Sequence, residues 1–336
     1  TYEALAKKTG QKVSFKKVDT PFLDEAALLK HEADHFAPSS AKSSHSSVTS
    51  PSRSSSPAYN ASYKKKKTKT KKKTVKIPPG EGGILQPIAA SCLMKVLYGA
   101  RIARPDLLSA TCYLARLITK WTNACDKMLH RLMCYISSSL DVKMQGFIGD
   151  EFDKLSLELY GDSDLASCKA TAKSTSGVLI AIGGPHSFFS INWISNKQTC
   201  QSHSTAEAEI IAADVALRVE GIPALQLWET IAHMMYDKPM PGTYDQRVGP
   251  DTINWTIADM VADESNIRIE KVNIQMHFHE DNQAAIQVIK TGRNPTMRHL
   301  GRTHKIDIGW LHNVFARGLC SLGYCDTDKQ AADMFT

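Results

Sequence analysis

The chain has 336 residues, long enough for two ordinary domains, and its 42% apolar content suits a globular body and excludes a wholly disordered one. Its formal net charge is +7, but nine lysines fall between Lys64 and Lys76, so the rest of the chain carries a net −2 and the basic character is local. No apolar run approaches the 18 or so residues of a membrane span, and the N-terminus lacks the basic-then-apolar pattern of a signal peptide.

Residues 1–36 are mixed and can hold short helices. From Pro38 to Pro57 serine dominates, the lysine run follows, and Ile77 to Gly83 is rich in Pro and Gly; such a stretch cannot bury enough surface to offset its ordering entropy, so 37–83 reads as a disordered linker. Helical spacing begins at Ile84. Pro105 and Asp106 open a helix in which Leu107, Ala110, Leu114, Leu117 and Ile118 recur at three- and four-residue steps. A second carries Cys125, Met128, Leu129, Leu132, Met133 and Ile136, so 84–150 is expected to form two antiparallel amphipathic helices whose apolar stripes cover each other or a neighbouring domain. The eight cysteines form no C-x-x-C pair and sit mostly in apolar stretches, as reduced thiols of an intracellular protein would.

After Gly146 the period changes. Leu155, Leu157 and Leu159 alternate with Ser156, Glu158 and Tyr160, which predicts a half-buried strand ending at Asp162. Strands follow at Val178 to Ile182 and Phe188 to Ile194, then a helix capped by Thr205 and running to about Trp228, with Glu207 and Glu209 in its first turns. Residues 234–272 are polar and read as an insertion. A strand from Ile274 to His279, a helix from Asn282 to Lys290, a helix from Lys305 to Arg317, a strand from Leu319 to Tyr324 and a final helix starting near Lys329 complete 151–336. The expected class is α/β, a mixed five-stranded sheet in the order βββαβααβα. Because the chain opens on Thr1 and stops inside what reads as a helix, it is expected to be a piece of a longer protein.

Cutting a phosphodiester with two metal ions needs three or four carboxylates from separate elements converging so that two Mg²⁺ about 4 Å apart can bind. Asp162 at the end of the first strand, Glu209 on the helix, Asp281 at the end of the fourth strand and Asp333 on the last helix form such a set, provided the first and fourth strands are neighbours. Each is weak alone. An Asp-x-Asp after a strand is more often a turn, a Glu at a helix start more often compensates the dipole, and Asp281 could equally cap the helix that follows.

The words around these residues resemble the ribonuclease H domain of copia-type retrotransposon polyproteins. L-Y-G-D-S-D-L-A at 159–166 is similar to that family's G-Y-S-D-A-D-W-A, K-S-T-S-G at 173–177 matches outright, and W-I-S-N-K-Q at 193–198 resembles W-x-S-K-K-Q. S-T-A-E-A-E at 204–209, E-D-N-Q-A-A at 280–285, R-T-H-K-I-D-I at 302–308 and Q-A-A-D-M-F-T at 330–336 resemble S-S-A-E-A-E, C-D-N-Q-S-A, R-T-K-H-I-D-I and Q-x-A-D-x-F-T in the same order. Upstream, A-R-P-D-L at 103–107 resembles the segment that joins reverse transcriptase to ribonuclease H, and V-D-T-P-F at 18–22 a segment beyond the polymerase palm, of which 1–36 would be a thumb remnant. The palm itself, with its Tyr-x-Asp-Asp strand, is absent and would be supplied by another polyprotein. Leu165 in place of Trp, the reversed order at His304 and Lys305, and the 234–272 insertion depart from the pattern.

The resemblance implies an RNase H-like fold and an endoribonuclease that cuts the RNA strand of an RNA/DNA hybrid, working in virus-like particles or the nucleus. It implies that Asp162, Glu209 and Asp281 hold two Mg²⁺ or Mn²⁺, with Asp333 as fourth ligand and Asp307 as its competitor. Glu209 is preferred over Glu207 because it directly precedes Ile210 and Ile211. Lys173, Ser174, Thr175, Asn282, Gln283, Arg302 and His304 would lie near the hybrid. A decayed or domesticated remnant that binds nucleic acid through the lysine run and cuts nothing is the alternative. For the run itself, DNA or RNA binding, nuclear import and a solvated spacer all remain open.

Overall fold

The computed structural model describes residues 2–10, 13–22, 82–168, 171–236 and 276–336. The lysine run, almost all of the 37–83 linker and most of the 234–272 insertion lie outside the described residues.

Five strands form one mixed sheet: β1 (Ser156–Ser163), β2 (Thr175–Gly184), β3 (Ser187–Lys197), β4 (Met276–Glu280) and β5 (Ser321–Tyr324). Their spatial order is β3-β2-β1-β4-β5. The first three strands make an antiparallel meander, whereas β4 joins β1 in parallel and β5 joins β4 in parallel. The required adjacency of the first and fourth strands is thus present. Period-two alternation sorts the sheet's two faces. Leu157, Leu159, Val178 and Ile180 turn to one face, Tyr160, Leu179, Ala181 and Trp193 to the other.

The first face is covered by α5 (Thr205–Val215), α7 (Gln283–Thr291) and α9 (Ile308–Ala316). The chain enters α5 through Ser204, which has an extended backbone and whose hydroxyl accepts the Glu207 N–H at 3.2 Å. The cap is therefore Ser204 and not Thr205: the hydroxyl one residue earlier reaches the N3 amide. The single helix expected to Trp228 instead passes through a π turn at Ala216–Gly221 and continues as α6 (Ile222–Tyr236). Asn282 caps α7, accepting the Ala285 N–H at 3.0 Å, and left-handed Gly292 closes it. A single turn, α8 (Leu300–Thr303), precedes α9. Asp307 caps α9 by accepting the Gly309 N–H at 2.8 Å, so this helix starts three residues later than Lys305.

The second face carries the N-terminal helices. Beside a short α1 (Tyr2–Lys8) there are three rather than two between 84 and 150: α2 (Gln86–Ile102), α3 (Leu108–Arg116) and α4 (Asn123–Ser138). Helices α2 and α3 lie on β3, and their apolar residues share one core with Leu179, Ala181, Trp193 and Phe335. The indole of Trp193 donates to the Ala100 carbonyl at 2.7 Å. Two locks set the helical layer. Arg104 grips Asp106 through two hydrogen bonds, at 2.8 and 3.0 Å, and also donates to the Ser139 carbonyl at the end of α4; Trp121 Nε1 donates to buried Asp126 at 2.7 Å.

The final helix expected from Lys329 does not form. Two 3₁₀ turns, Thr327–Lys329 and Asp333–Phe335, take its place. The chain between them is held by side chains rather than by a helical ladder: the Gln330 amide donates to the Gly161 carbonyl, and Phe335 is fully buried in the core of the second face. Gly177 permits this approach, since a Cβ there would stand 2.4 Å from the Ala332 carbonyl oxygen. All eight cysteines are free thiols, and among the described residues no helix is long and apolar enough to cross a membrane.

Candidate metal centre

Parallel pairing in register places two carboxylates side by side. Tyr160 pairs with His279, so Asp162 and Asp281, each two residues further on, stand at the same end of adjacent strands. From the covered face, α5 brings Glu209 to the same point. One oxygen from each of Asp162, Glu209 and Asp281 lies within 4.8 Å of the others, the one such group among the described residues. Glu207 does not join them, because it is buried and accepts a hydrogen bond from His299 Nε2 at 3.1 Å.

The group is electrostatically costly as it stands. Burial, then the neighbouring charges of Asp281 and Asp333, push the Asp162 carboxyl up to about 6. Burial likewise raises Glu209 strongly, with Glu280, Asp162 and Asp281 adding to the effect. Glu209 is 3% exposed, yet its Oε2 has no hydrogen-bond partner. Three converging carboxylates, two of them buried and one with an oxygen left without a hydrogen bond, make a donor set suited to a hard divalent cation, whose charge removes the repulsion and whose preference is for oxygen. The residues fit Mg²⁺ or Mn²⁺, and the absence of any Cys or His from the group disfavours a zinc-type site.

Of the two candidates for a fourth ligand, Asp333 acts on Asp162 as a neighbouring charge, from the turn that Gln330 ties to the end of β1. Asp307 is engaged elsewhere as the exposed cap of α9. The residues expected around a hybrid fall on three stretches of the chain. Lys173 is half-buried, and its ammonium donates to the Thr199 carbonyl. Ser174 is 0% exposed, and its hydroxyl accepts the Ala166 N–H, so it holds the loop after β1 in place. Thr175 is buried, its N–H given to Asp164. Asn282 is committed to capping α7, while Gln283 and Arg302 are exposed. His304 is half-buried and its Nε2 has no partner; burial lowers its pKa.

Two polar residues escaped the sequence reading. Gln330, through Gly161, positions the turn of Asp333. Glu280, next to Asp281, is 0% exposed; the Asn282 N–H reaches its Oε1 at 3.1 Å and its Oε2 has no partner. The signal for Glu280 was available: alternation from Met276 and Phe278 carries it inward. No protein-family model matches the chain, and no solved structure matches it significantly.

Proposed function

We propose that the chain is an RNase H-like endoribonuclease that cuts the RNA strand of an RNA/DNA hybrid with two divalent cations, and that it is part of a copia-type retrotransposon polyprotein. The observation that carries this reading is the convergence of Asp162, Glu209 and Asp281 from two parallel strands and a crossing helix. The strand order, with an antiparallel meander followed by two parallel additions, and the seven motif resemblances along 159–336 support it.

Asp162, Glu209 and Asp281 would hold the cations, with Asp333 adding negative charge from the C-terminal turn. Bound Mg²⁺ or Mn²⁺ would supply a water acidic enough to attack phosphorus near neutral pH and would stabilise the charge on the leaving oxygen. The protein's own part is placement. Parallel register fixes Asp162 beside Asp281, the buried side of α5 fixes Glu209, and exposed Arg302 and Gln283, together with half-buried Lys173, offer contacts to phosphates and 2′-hydroxyls. The Asp281→Asn variant tests the reading. It keeps the shape but removes the charge that holds a hard cation, so Mg²⁺-dependent cleavage of a labelled hybrid by the full chain is expected to vanish while the circular dichroism is unchanged. Full activity in that variant would remove the two-metal assignment.

A further inference from the structure

Helix α6 is apolar on two opposite sides. Leu225 and Trp228 join the core of the sheet's first face, where Phe152 stacks on Trp228 with ring centroids 4.8 Å apart, and Ala232, one turn on, is also buried. Around the helix from these, Leu227, Ile231 and Met234 recur at the same three- and four-residue steps, yet they are 61, 36 and 81% exposed. A helix that is apolar all round is one that neighbours cover all round, and the described residues leave this side open.

The path of the chain indicates what covers it. The helix ends at Tyr236, and the next described residue is Met276, the first of β4. Met276 lies at the other end of α6: a Cβ on Gly221, which directly precedes the helix, would stand 3.3 Å from the Met276 sulfur. Residues 237–275 thus leave from one end of α6 and return to the other, a span of about 22 Å for a helix of 15 residues. About seven extended residues would cover that distance, so the segment has far more chain than the return needs.

Its sequence is uneven in a way that fits this path. Pro239, Pro241, Gly242, Gly249 and Pro250 fall in the first part, where the chain must reverse. Ile253, Ile257, Met260 and Val261 then recur at three- and four-residue steps, the spacing of the open stripe on α6. Asp251, just before them, is a residue type that caps a helix start. We propose that residues 251–262 form an amphipathic helix that docks antiparallel on α6, setting Ile253, Ile257, Met260 and Val261 against Leu227, Ile231 and Met234. Such a helix would run about 18 Å, enough to lie along the whole stripe. The insertion is then an arm with a fixed seat, which brings the chain back to β4, the strand that Asp281 follows. None of this depends on the reading of the metal centre.

The test is amide hydrogen exchange of the full chain at two concentrations, with light scattering for its oligomeric state. In the natural sequence the amides of 251–262 are expected to exchange at least about tenfold more slowly than an unfolded chain, to the same extent at both concentrations. Leu227→Asp on α6 and Met260→Asp on the segment should each remove that protection. Leu227→Lys combined with Met260→Glu should restore part of it by pairing opposite charges across the contact. Leu227 is outside the core, so circular dichroism of its variants is expected to be unchanged; if a single variant unfolds, the natural chain and the charge pair decide. Exchange of 251–262 at the unfolded rate in the natural chain overturns the proposal. So does protection that survives Leu227→Asp, because the segment then packs elsewhere. Protection that disappears on dilution together with a dimer overturns it in favour of a second copy on α6, and a charge pair that recovers nothing overturns the antiparallel placement.

Discussion

The side-chain amide of Gln330 donates a hydrogen bond to the carbonyl oxygen of Gly161 at 3.0 Å, tying the last residues of the chain to the strand that carries Asp162. That tie, with buried Phe335 beyond it, gives Asp333 a fixed place without a helix around it. Asp333→Asn is therefore expected to lower cleavage at limiting Mg²⁺ by at least about tenfold, equivalent to about 1.4 kcal/mol of barrier. Asp307→Asn should leave cleavage near normal, because asparagine caps a helix about as well as aspartate. Parallel kinetics on the two variants decide it: an inactive Asp307→Asn beside a normal Asp333→Asn would reverse the assignment.

The Asp162 carboxyl gives the metal-free protein a pH dependence of definite sign. Its value is raised from 3.8 to about 6, so the folded state binds the proton more tightly than the unfolded chain does. The stability this lends is fully present below about pH 4 and is lost as pH rises through about 6, a swing on the order of 3 kcal/mol at most. Thermal melts in chelator are expected to fall across that window, and saturating Mg²⁺ to reverse the fall. Asp162→Asn should flatten the chelator profile and raise the melting temperature at pH 7 while abolishing cleavage. A metal-free midpoint that rises from pH 4 to 6 and owes nothing to Asp162 would contradict this.

Arg104 and Asp106 are both largely buried, and Tyr135 donates to the same Asp106 carboxylate at 2.9 Å. Arg104→Ala leaves that carboxylate without its cation and frees the end of α4, at a cost of about 3 kcal/mol in urea melts. Lysine should recover only part of the loss, since it lacks the planar fork that meets both oxygens. A loss under about 1 kcal/mol, the range of a solvated pair, would assign the fixing of this turn to Tyr135 and packing alone.

For the lysine run the expectation is salt-sensitive, sequence-indifferent binding of nucleic acid, with a salt slope shallower by roughly one unit for each phosphate contact that deletion of 64–76 removes. An unchanged slope after the deletion would make the run a spacer.

What the residues announced in advance was whatever depends on local period or on a cap. Leu157 and Leu159 marked β1, and the Ser-Thr-Ala-Glu start marked α5 to within one residue. Asp162 and Asp281 were legible because each stands at the end of a strand, and Glu209 because it directly precedes the apolar Ile210 and Ile211 on the helix. The failures lie where side chains at long range replaced local rules. Residues 329–336 look helical by composition, but Gln330 and Phe335 find partners on the sheet and pull the backbone into 3₁₀ turns. Asn282 looked free to meet a ligand, yet the first turn of α7 had an orphan N–H for it to satisfy. The π turn at Ala216–Gly221 has no signature in hydrophobic spacing, because one added residue merely rotates the stripe that follows.

The shared core of Trp193, Leu179, Ala181 and Phe335 with helices α2 to α4 has a consequence for how such a chain can be rearranged. A composition boundary at 151 suggests a detachable cassette, but the floor on which Phe335 rests, and with it the turn of Asp333, is partly built from residues before that boundary. Transplanting 151–336 alone would leave the Trp193 indole facing solvent where the Ala100 carbonyl had been, and a broad apolar surface beside it. The helices and the sheet are thus expected to melt in a single transition and to be inherited together, as one cooperative unit that also takes in α1, whose Tyr2 and Ala6 lie in the same core.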